Sequence, residues 1–162
     1  MNFDKLLPGS EIEYSGEILV MRDAAQKRIR QFLREGSQTD IDFDRKLVFY
    51  AGPAKTPPGM PVGAIGPTTS ERMDDYLEML FQLGVSGTIG KGRRSKLAAT
   101  MCQKYKRVYF LTPSGSAAAL SLRVKKHRVI LFPDLQSESV QLLSVEKFPL
   151  VVAIDSHGNE IW

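Results

Sequence analysis

Residues 66–74 read Gly-Pro-Thr-Thr-Ser-Glu-Arg-Met-Asp and join a short apolar run, residues 62–65, to a helical pattern that stops at Gly84. A second junction of the same kind, Ile-Gly-Lys-Gly at residues 89–92, leads into another helical pattern. Apolar runs that alternate with helices predict an α/β fold. In open α/β sheets, ligands bind at the carboxyl ends of the strands, so both junctions are candidate positions for a site.

The polar side chains of these two junctions suit an anion. Thr68 and Thr69 stand at an expected helix start, where unpaired backbone N–H groups favour anions, and Arg72 follows one turn later with a fork of donors. Lys91 adds a charge between glycines that let a ligand approach the backbone. We interpret the two junctions together as an anion pocket with hydroxyl groups placed for proton transfer. A helix cap and a turn are the ordinary alternative for either stretch alone.

Composition predicts a single soluble globular domain over residues 1–162. The chain is 43% hydrophobic and 25% charged, and its net charge of +4 suits an acidic ligand but is too weak to indicate nucleic acid. No apolar leader or membrane-spanning window is visible, so we expect a cytoplasmic protein. The single cysteine, Cys102, excludes an internal disulfide framework and a self-contained cysteine-ligated metal site, and its helical spacing predicts a buried packing role.

Apolar periodicity predicts the early elements: a strand at 14–21, a helix from Arg22 to Glu35, a strand at 46–51, a Pro/Gly-rich loop at 52–61, a strand at 86–89 and a helix at 95–105. The last third is expected to be mostly extended, with strands near 107–112, 123–132, 139–146 and 150–155 and a candidate helix start at 114–120. The basic run 125–128 predicts a solvated strand edge, and His157 is expected in a turn.

The sequence contains neither a nucleotide-binding P-loop nor a histidine-based catalytic constellation. Ile-Gly-Lys-Gly is not a nucleotide-binding P-loop, because Gly84 lies one residue too far from Gly90 and Lys91 is followed by Gly92. The two histidines form no Ser/His or Cys/His constellation.

With these motifs the chain resembles the β subunit, or C-terminal domain, of the iron–sulfur hydro-lyases, namely class I fumarases and L-tartrate dehydratases. The matching residues are Ser15-Gly16, Arg22-Asp23-Ala24-Ala25, Lys27-Arg28, Tyr50-Ala51-Gly52-Pro53, Gly66–Ser70, Arg72-Met73-Asp74, Ile89–Gly92, Val145–Pro149, Val152 and Asp155–Gly158. The sequence departs from the family pattern at Gln26, where many members carry histidine, at Ser114-Gly115 and at Glu138-Ser139-Val140.

The resemblance implies a swivelling β/β/α domain, which is an α/β fold with a partly open, barrel-like mixed sheet and flanking helices. It also implies a carbon–oxygen hydro-lyase that is active only with an α subunit. That subunit holds a [4Fe–4S] cluster whose iron acts as a Lewis acid. Cluster ligation needs several thiolates, so this chain would bind no cluster and would supply half of an active site.

The resemblance also implies site residues and a reaction. The implied catalytic residues are Thr68 as the base, Arg72 and Lys91, and the implied substrate-binding residues are Arg22, Gly66, Thr69, Arg72 and Lys91. Thr69 is the alternative base. The implied reaction is the reversible hydration of fumarate to (S)-malate. Conversion of L-tartrate to oxaloacetate and a non-catalytic anion-binding or assembly subunit remain alternatives. The expected partners are the α subunit and a dicarboxylate, with homodimerisation also open, and neither nucleic acid nor membrane is expected.

Overall fold

The computed structural model describes residues 2–112 and 117–162 and contains six strands within them. The strands are β1 (Glu11–Val20), β2 (Leu47–Phe49), β3 (Gly87–Gly90), β4 (Val108–Leu111), β5 (Val124–Leu131) and β6 (Val140–Ile154). The α-helices are α1 (Asp23–Arg34), α2 (Leu77–Gln82), α3 (Lys96–Tyr105) and α4 (Ala117–Ser121), and 3-10 turns lie at Glu71–Tyr76 and Pro133–Glu138.

Five of these strands close into a mixed barrel. β1, β2, β3 and β4 lie side by side and parallel, and β6 runs antiparallel to both β4 and β1. β5 adds to β6 as an extra edge strand. The expected barrel-like mixed sheet with flanking helices is therefore confirmed, and the β1–β6 ladder joins its two ends.

The last strand corrects the prediction of two separate strands at 139–146 and 150–155. β6 is continuous over 15 residues, although Lys147 has a left-handed φ of 51° within it. The ladder to β1 runs across this bend, and a register shift between Tyr14 and Gly16 absorbs it. One edge of β6 pairs with β1. The other edge pairs with β5 along its first half and with β4 near its end. Long-range pairing therefore keeps the strand intact, and local sequence does not reveal this.

Alternation along the strands creates two apolar layers. Ile18 and Val20 of β1 lie in one cluster, while Leu19 and Met21 lie in the other. The cluster with Leu19 and Met21 also contains side chains from α1, α2 and α3, so it is the layer between the barrel and these helices. The cluster with Ile18 and Val20 contains none from α1, α2 or α3 and fills the barrel interior. Full burial of a large apolar side chain contributes about 1.5–3 kcal/mol, so both layers stabilise the fold.

Most of the predicted helices and edges are confirmed. α1 buries Ala25 and Ile29, and α3 buries Cys102, as their helical spacing predicts. The basic run lies in β5 at the edge of the sheet, and His157 lies in a turn. Within the predicted stretch 114–120, the structure describes a helix from Ala117 onward, and residues 114–116 lie outside the described residues.

Candidate functional site

The candidate site lies at the rim formed by the carboxyl ends of the parallel strands. Register aligns one row of residues across this rim: Val20 of β1, Phe49 of β2, Ile89 of β3 and Phe110 of β4. Two residues beyond that row stand Arg22, Ala51, Lys91 and Thr112. Arg22 and Lys91, which are far apart in sequence, therefore leave the sheet at the same level, as expected for a ligand site in an α/β sheet.

The threonine loop, residues 66–70, folds back over this rim. Pro67 forms an antiparallel bridge with Ala51, and the backbone N–H of Thr68 donates to the carbonyl oxygen of Tyr50 over 2.8 Å. These bonds seat the loop directly on the end of β2.

The lysine loop, residues 90–92, pairs with the threonine loop. Thr69 and Lys91 form a parallel bridge, in which the N–H of Lys91 donates to the Thr68 carbonyl over 3.3 Å. The N–H of Ser70 donates to the Lys91 carbonyl over 3.2 Å. The two junctions singled out in the sequence are therefore in direct contact.

This pairing uses two of the N–H groups near the expected helix start. The N–H groups of Thr68 and Ser70 are used by the carbonyl oxygens of Tyr50 and Lys91. The helical segment itself begins later, as a 3-10 turn at Glu71. The N–H groups of Thr68 and Ser70 are therefore not available to an anion, and the side chains of the two loops are the remaining candidate donors.

The two threonines differ in their surroundings. Thr68 is half-buried, and its hydroxyl donates to the Tyr50 carbonyl oxygen over 3.3 Å, whereas Thr69 is exposed. Donation to a carbonyl stabilises the neutral alcohol, so the chain alone holds Thr68 in its protonated form.

Arg22 is packed closely against the end of β2. Its side chain is 23% exposed, and a Cβ atom at Gly52 would lie 3.0 Å from its guanidinium carbon. Its Nη2 lies 3.5 Å from Oε1 of Glu138, and its buried Nε has no partner among the described residues. The absence of a side chain at Gly52 gives the guanidinium room at the rim.

Arg72 is braced by a residue from the neighbouring helix. Its Nε donates to both carboxylate oxygens of Asp23, at 3.0 and 3.2 Å, and about half of its side chain is exposed. Asp23 directly follows Arg22 and begins α1, so it connects the two arginines of the candidate site.

Gly66 and Lys91 complete the expected set. The backbone of Gly66 lies against α4, because an added Cβ atom would be 3.2 Å from the Cβ of Ala117. That contact accounts for glycine at this position through packing. Lys91 is exposed.

Sequence reasoning missed a buried ion pair beneath the two loops. Arg94 Nε donates to Asp74 Oδ1 over 2.6 Å, and their side chains are 0% and 6% exposed. Asp74 was noted only within the Arg-Met-Asp motif and Arg94 not at all. Asp74 ends the first junction and Arg94 lies two residues after the second, and this position was the available signal. Burial of a charge, however, depends on tertiary packing.

Comparison with known proteins assigns the family. The model of the family described as Fumarase C-terminus matches residues 2–162. The chain belongs to this family. The resemblance seen in the motifs is thereby confirmed, and the family is that of the class I fumarate hydratase and tartrate dehydratase hydro-lyases.

Similar proteins carry both of these names. The chain is 35% identical over 156 residues to "Fumarate hydratase 2" of Leishmania major and 34% identical over 155 residues to "Fumarate hydratase class I, anaerobic" of Escherichia coli. These alignments cover 95% and 94% of the chain but 28% of each relative. It is also 35% identical over 164 residues to "Putative L(+)-tartrate dehydratase subunit beta" of Methanocaldococcus jannaschii, with 98% of the chain and 84% of that relative covered.

The donors of this family member do not fit an iron–sulfur cluster. Cys102 is buried in α3, and burial raises the pKa of its thiol to about 12, whereas a cluster needs several thiolates. Within residues 2–112 and 117–162, no three His, Cys, Asp or Glu side chains come together as metal ligands. Among the described helices, none has the length and apolar character needed to cross a bilayer.

The tyrosines near the loops are held as neutral phenols. Burial raises the pKa of Tyr109 to about 12, although its hydrogen bond with Ser70 acts in the opposite direction. Burial raises the pKa of Tyr50 as well. Both phenols therefore stay protonated near neutral pH.

The candidate residues do not line the cleft of best-defined shape in the described part of the chain. A cleft of 510 Å³ is lined instead by residues of β1, β5, β6 and the loop before β2, among them Glu17, Lys46 and Arg128. Thr69, Arg72 and Lys91 are exposed. Together with the partly buried Arg22 and Thr68, they form a rim that is partly open to solvent.

Proposed function

We propose that this chain is the β subunit of a two-subunit fumarate hydratase that interconverts fumarate and (S)-malate. The observation that carries the proposal is the common rim: Arg22 and Lys91 leave the parallel sheet at the same level, and Thr68 is hydrogen-bonded to the end of β2, the strand between them. An open rim of cations and a hydroxyl suits a site that a second protein completes. Membership of the hydro-lyase family supplies the reaction class.

The charges suit a dicarboxylate. A four-carbon dicarboxylate carries two negative charges, and abstraction of a proton next to a carboxylate places further charge on that group in the transition state. In the proposal, Arg22 and Arg72 each bind a carboxylate and Lys91 stabilises the developing charge. The Nε of Arg72 already donates to Asp23, so the two terminal nitrogens of the Arg72 guanidinium would bind the substrate.

Thr68 is the proposed base. In the dehydration direction, the C–H bond beside a carboxylate breaks and its proton passes to the Thr68 oxygen, while the C–O bond at the next carbon breaks and a double bond forms. The hydroxyl of Thr68 now donates to the Tyr50 carbonyl, which favours the neutral alcohol. We therefore infer that Thr68 releases its hydroxyl proton to solvent as substrate and partner assemble around it. Lys91, whose loop pairs with the threonine loop, would stabilise the resulting alkoxide.

The partner chain supplies what this chain does not hold. We propose an α subunit that would hold the [4Fe–4S] cluster, which would supply Lewis-acid chemistry for the departing hydroxyl. The name "subunit beta" of the Methanocaldococcus jannaschii relative supports a two-chain enzyme.

L-tartrate dehydratase is the second candidate function. The chain is as similar to the Methanocaldococcus jannaschii β subunit as to the Leishmania major fumarate hydratase, at 35% identity each. Both reactions remove water from a dicarboxylate. The preference for one substrate over the other would depend on contacts with the substrate hydroxyl groups, and the partner chain would supply some of these contacts.

The test is reconstitution with the α subunit under anaerobic conditions. We expect each chain alone to be inactive and the mixture to convert fumarate, with (S)-malate and both tartrates assayed in parallel. Preference for L-tartrate would support the second candidate. Full activity of the α subunit without this chain would instead indicate an assembly role and overturn the proposal.

A further inference from the structure

A buried ion pair connects the segments that follow the two loops. Asp74 lies in the 3-10 turn after the threonine loop, and Arg94 comes two residues after the lysine loop. Both side chains are almost fully buried, and their 2.6 Å contact is a charge-assisted hydrogen bond. Removal of one partner from such a pair leaves an uncompensated buried charge.

The remaining atoms of this pair extend the connection on both sides. Arg94 Nη1 donates to the Thr88 hydroxyl on β3 over 2.9 Å. Asp74 Oδ2 accepts the backbone N–H of Ser95 over 3.0 Å and the Ser95 hydroxyl over 2.5 Å, at the start of α3. The lysine loop is therefore fixed before and after by groups bound to this one ion pair.

Tyr109 joins the two loops at a second point. Its hydroxyl lies 3.1 Å from Oγ of Ser70 and 2.9 Å from the Gly92 carbonyl oxygen. The guanidinium of Arg94 lies 5.0 Å from the centre of the Tyr109 ring, within the range of a cation–π contact. The loops are thus held together by side chains as well as by their backbone pairing.

We propose that Arg94 is a positioning residue which, with Asp74, fixes Thr68 relative to Lys91. The proposal rests on the proposed function, because it assigns a purpose to the geometry of that site. Arg94 is buried and would not touch substrate. A buried ion pair is often no more stabilising than an apolar pair of similar volume, so its specific contribution here is geometry.

The proposal predicts an effect on kcat rather than on KM. Misplacement of a reacting group by about 1 Å costs roughly 100-fold in rate. Arg72, which would bind a substrate carboxylate, has a separate brace in Asp23 on α1. Disturbance of the Asp74–Arg94 pair would therefore misalign the base and Lys91 while substrate binding is largely retained.

The experiment uses the reconstituted α/β complex with two variants. Arg94→Lys keeps the charge but lacks the fork that reaches both Asp74 and Thr88. The double variant Asp74→Asn with Arg94→Met removes both charges, so neither is left unpaired. Leu80→Ala is the matched control, since Leu80 is fully buried in the same layer on α2 but is not bonded to either loop.

We expect kcat to fall about 100-fold in both variants, with KM changed by less than about 3-fold, at a temperature where thermal unfolding shows them folded. Leu80→Ala should lose stability but keep kcat. Near-normal kcat in either folded variant, or an equal loss in Leu80→Ala, would overturn the proposal, as would failure of both variants to fold. If the unaltered α/β complex converts neither fumarate nor tartrate, the proposed function fails rather than the positioning role.

Discussion

At the scale of single residues, the exposed cations Arg72 and Lys91 of the candidate site can be compared with their neighbour Arg93. Lys91 comes from the lysine loop and Arg72 from the 3-10 turn after the threonine loop, whereas Arg93, next to the lysine loop, lies 3.7 Å from Glu160 of the C-terminal segment. We expect Arg72→Ala and Lys91→Ala to abolish turnover of the α/β complex without unfolding the chain, because loss of one charge-stabilising donor costs about 100- to 1,000-fold in kcat.

The measurement for these variants is kcat/KM together with thermal unfolding. Arg93→Ala is the matched control, since it removes an exposed arginine from the same segment, and it should keep near-normal turnover. Near-normal kcat/KM in Arg72→Ala or Lys91→Ala would show that the site is assigned wrongly.

The two threonines can be separated by replacement with valine, which has the same shape but no hydroxyl. We expect Thr68→Val to lose at least about 100-fold in kcat, the usual contribution of a positioned base, and Thr69→Val to stay within a few-fold of the parent. Exchange of the malate C–H proton with deuterated solvent, followed by NMR, reports the same step. The reverse order of effects would make Thr69 the base.

Of the site, the sequence predicted the residues that reach the rim but not those that hold them. Thr68, Arg72 and Lys91 were visible because hydroxyls and cations stood beside glycines at strand ends. Asp74 and Arg94 were not visible, because nothing local distinguishes a charge that will be buried from one that will be solvated.

At the scale of elements, the close fit of the two loops makes a prediction about Gly90. A Cβ atom there would collide with Oγ of Ser70 and lie 3.3 Å from the Tyr50 ring. We expect Gly90→Ala to destabilise the chain by about 1–3 kcal/mol, the typical cost of overpacking.

Ser70→Ala offers the partner variant for a double-mutant cycle, since it removes the oxygen that the new methyl group meets. We expect the double variant to be more stable than the sum of the single effects predicts, with a coupling of about 1 kcal/mol measured by denaturant unfolding. Strict additivity would mean that the two loops do not touch as described.

Helices were predicted better than strands for a physical reason. The apolar stripe of α1 and the glycine after it are local signals, so its bounds followed from the sequence. The joining of two predicted strands into β6, and its pairing with β1, depend on residues more than a hundred positions away, which no local pattern contains. The barrel was therefore expected from the family resemblance rather than from periodicity.

At the scale of the whole molecule, closure of the barrel leaves β5 with one unpaired edge. Its exposed positions include Lys125, Lys126 and Arg128, and such charges discourage pairing with another chain. We expect replacement of all three by threonine to promote self-association, measured by light scattering as a function of concentration. A variant in which exposed Lys27, Arg34 and Lys96 become threonine loses the same charge and should not self-associate more than the parent.

The β1–β6 ladder sets a condition on how the protein is made. A ribosome releases residues 11–20 long before residues 141–151, so one side of β1 stays unpaired in the nascent chain until residues 141–151 have been made. Contacts between such distant segments form slowly, and unpaired edges are sticky in the meantime. Chaperone demand during translation should accordingly be greatest just before the final strand emerges.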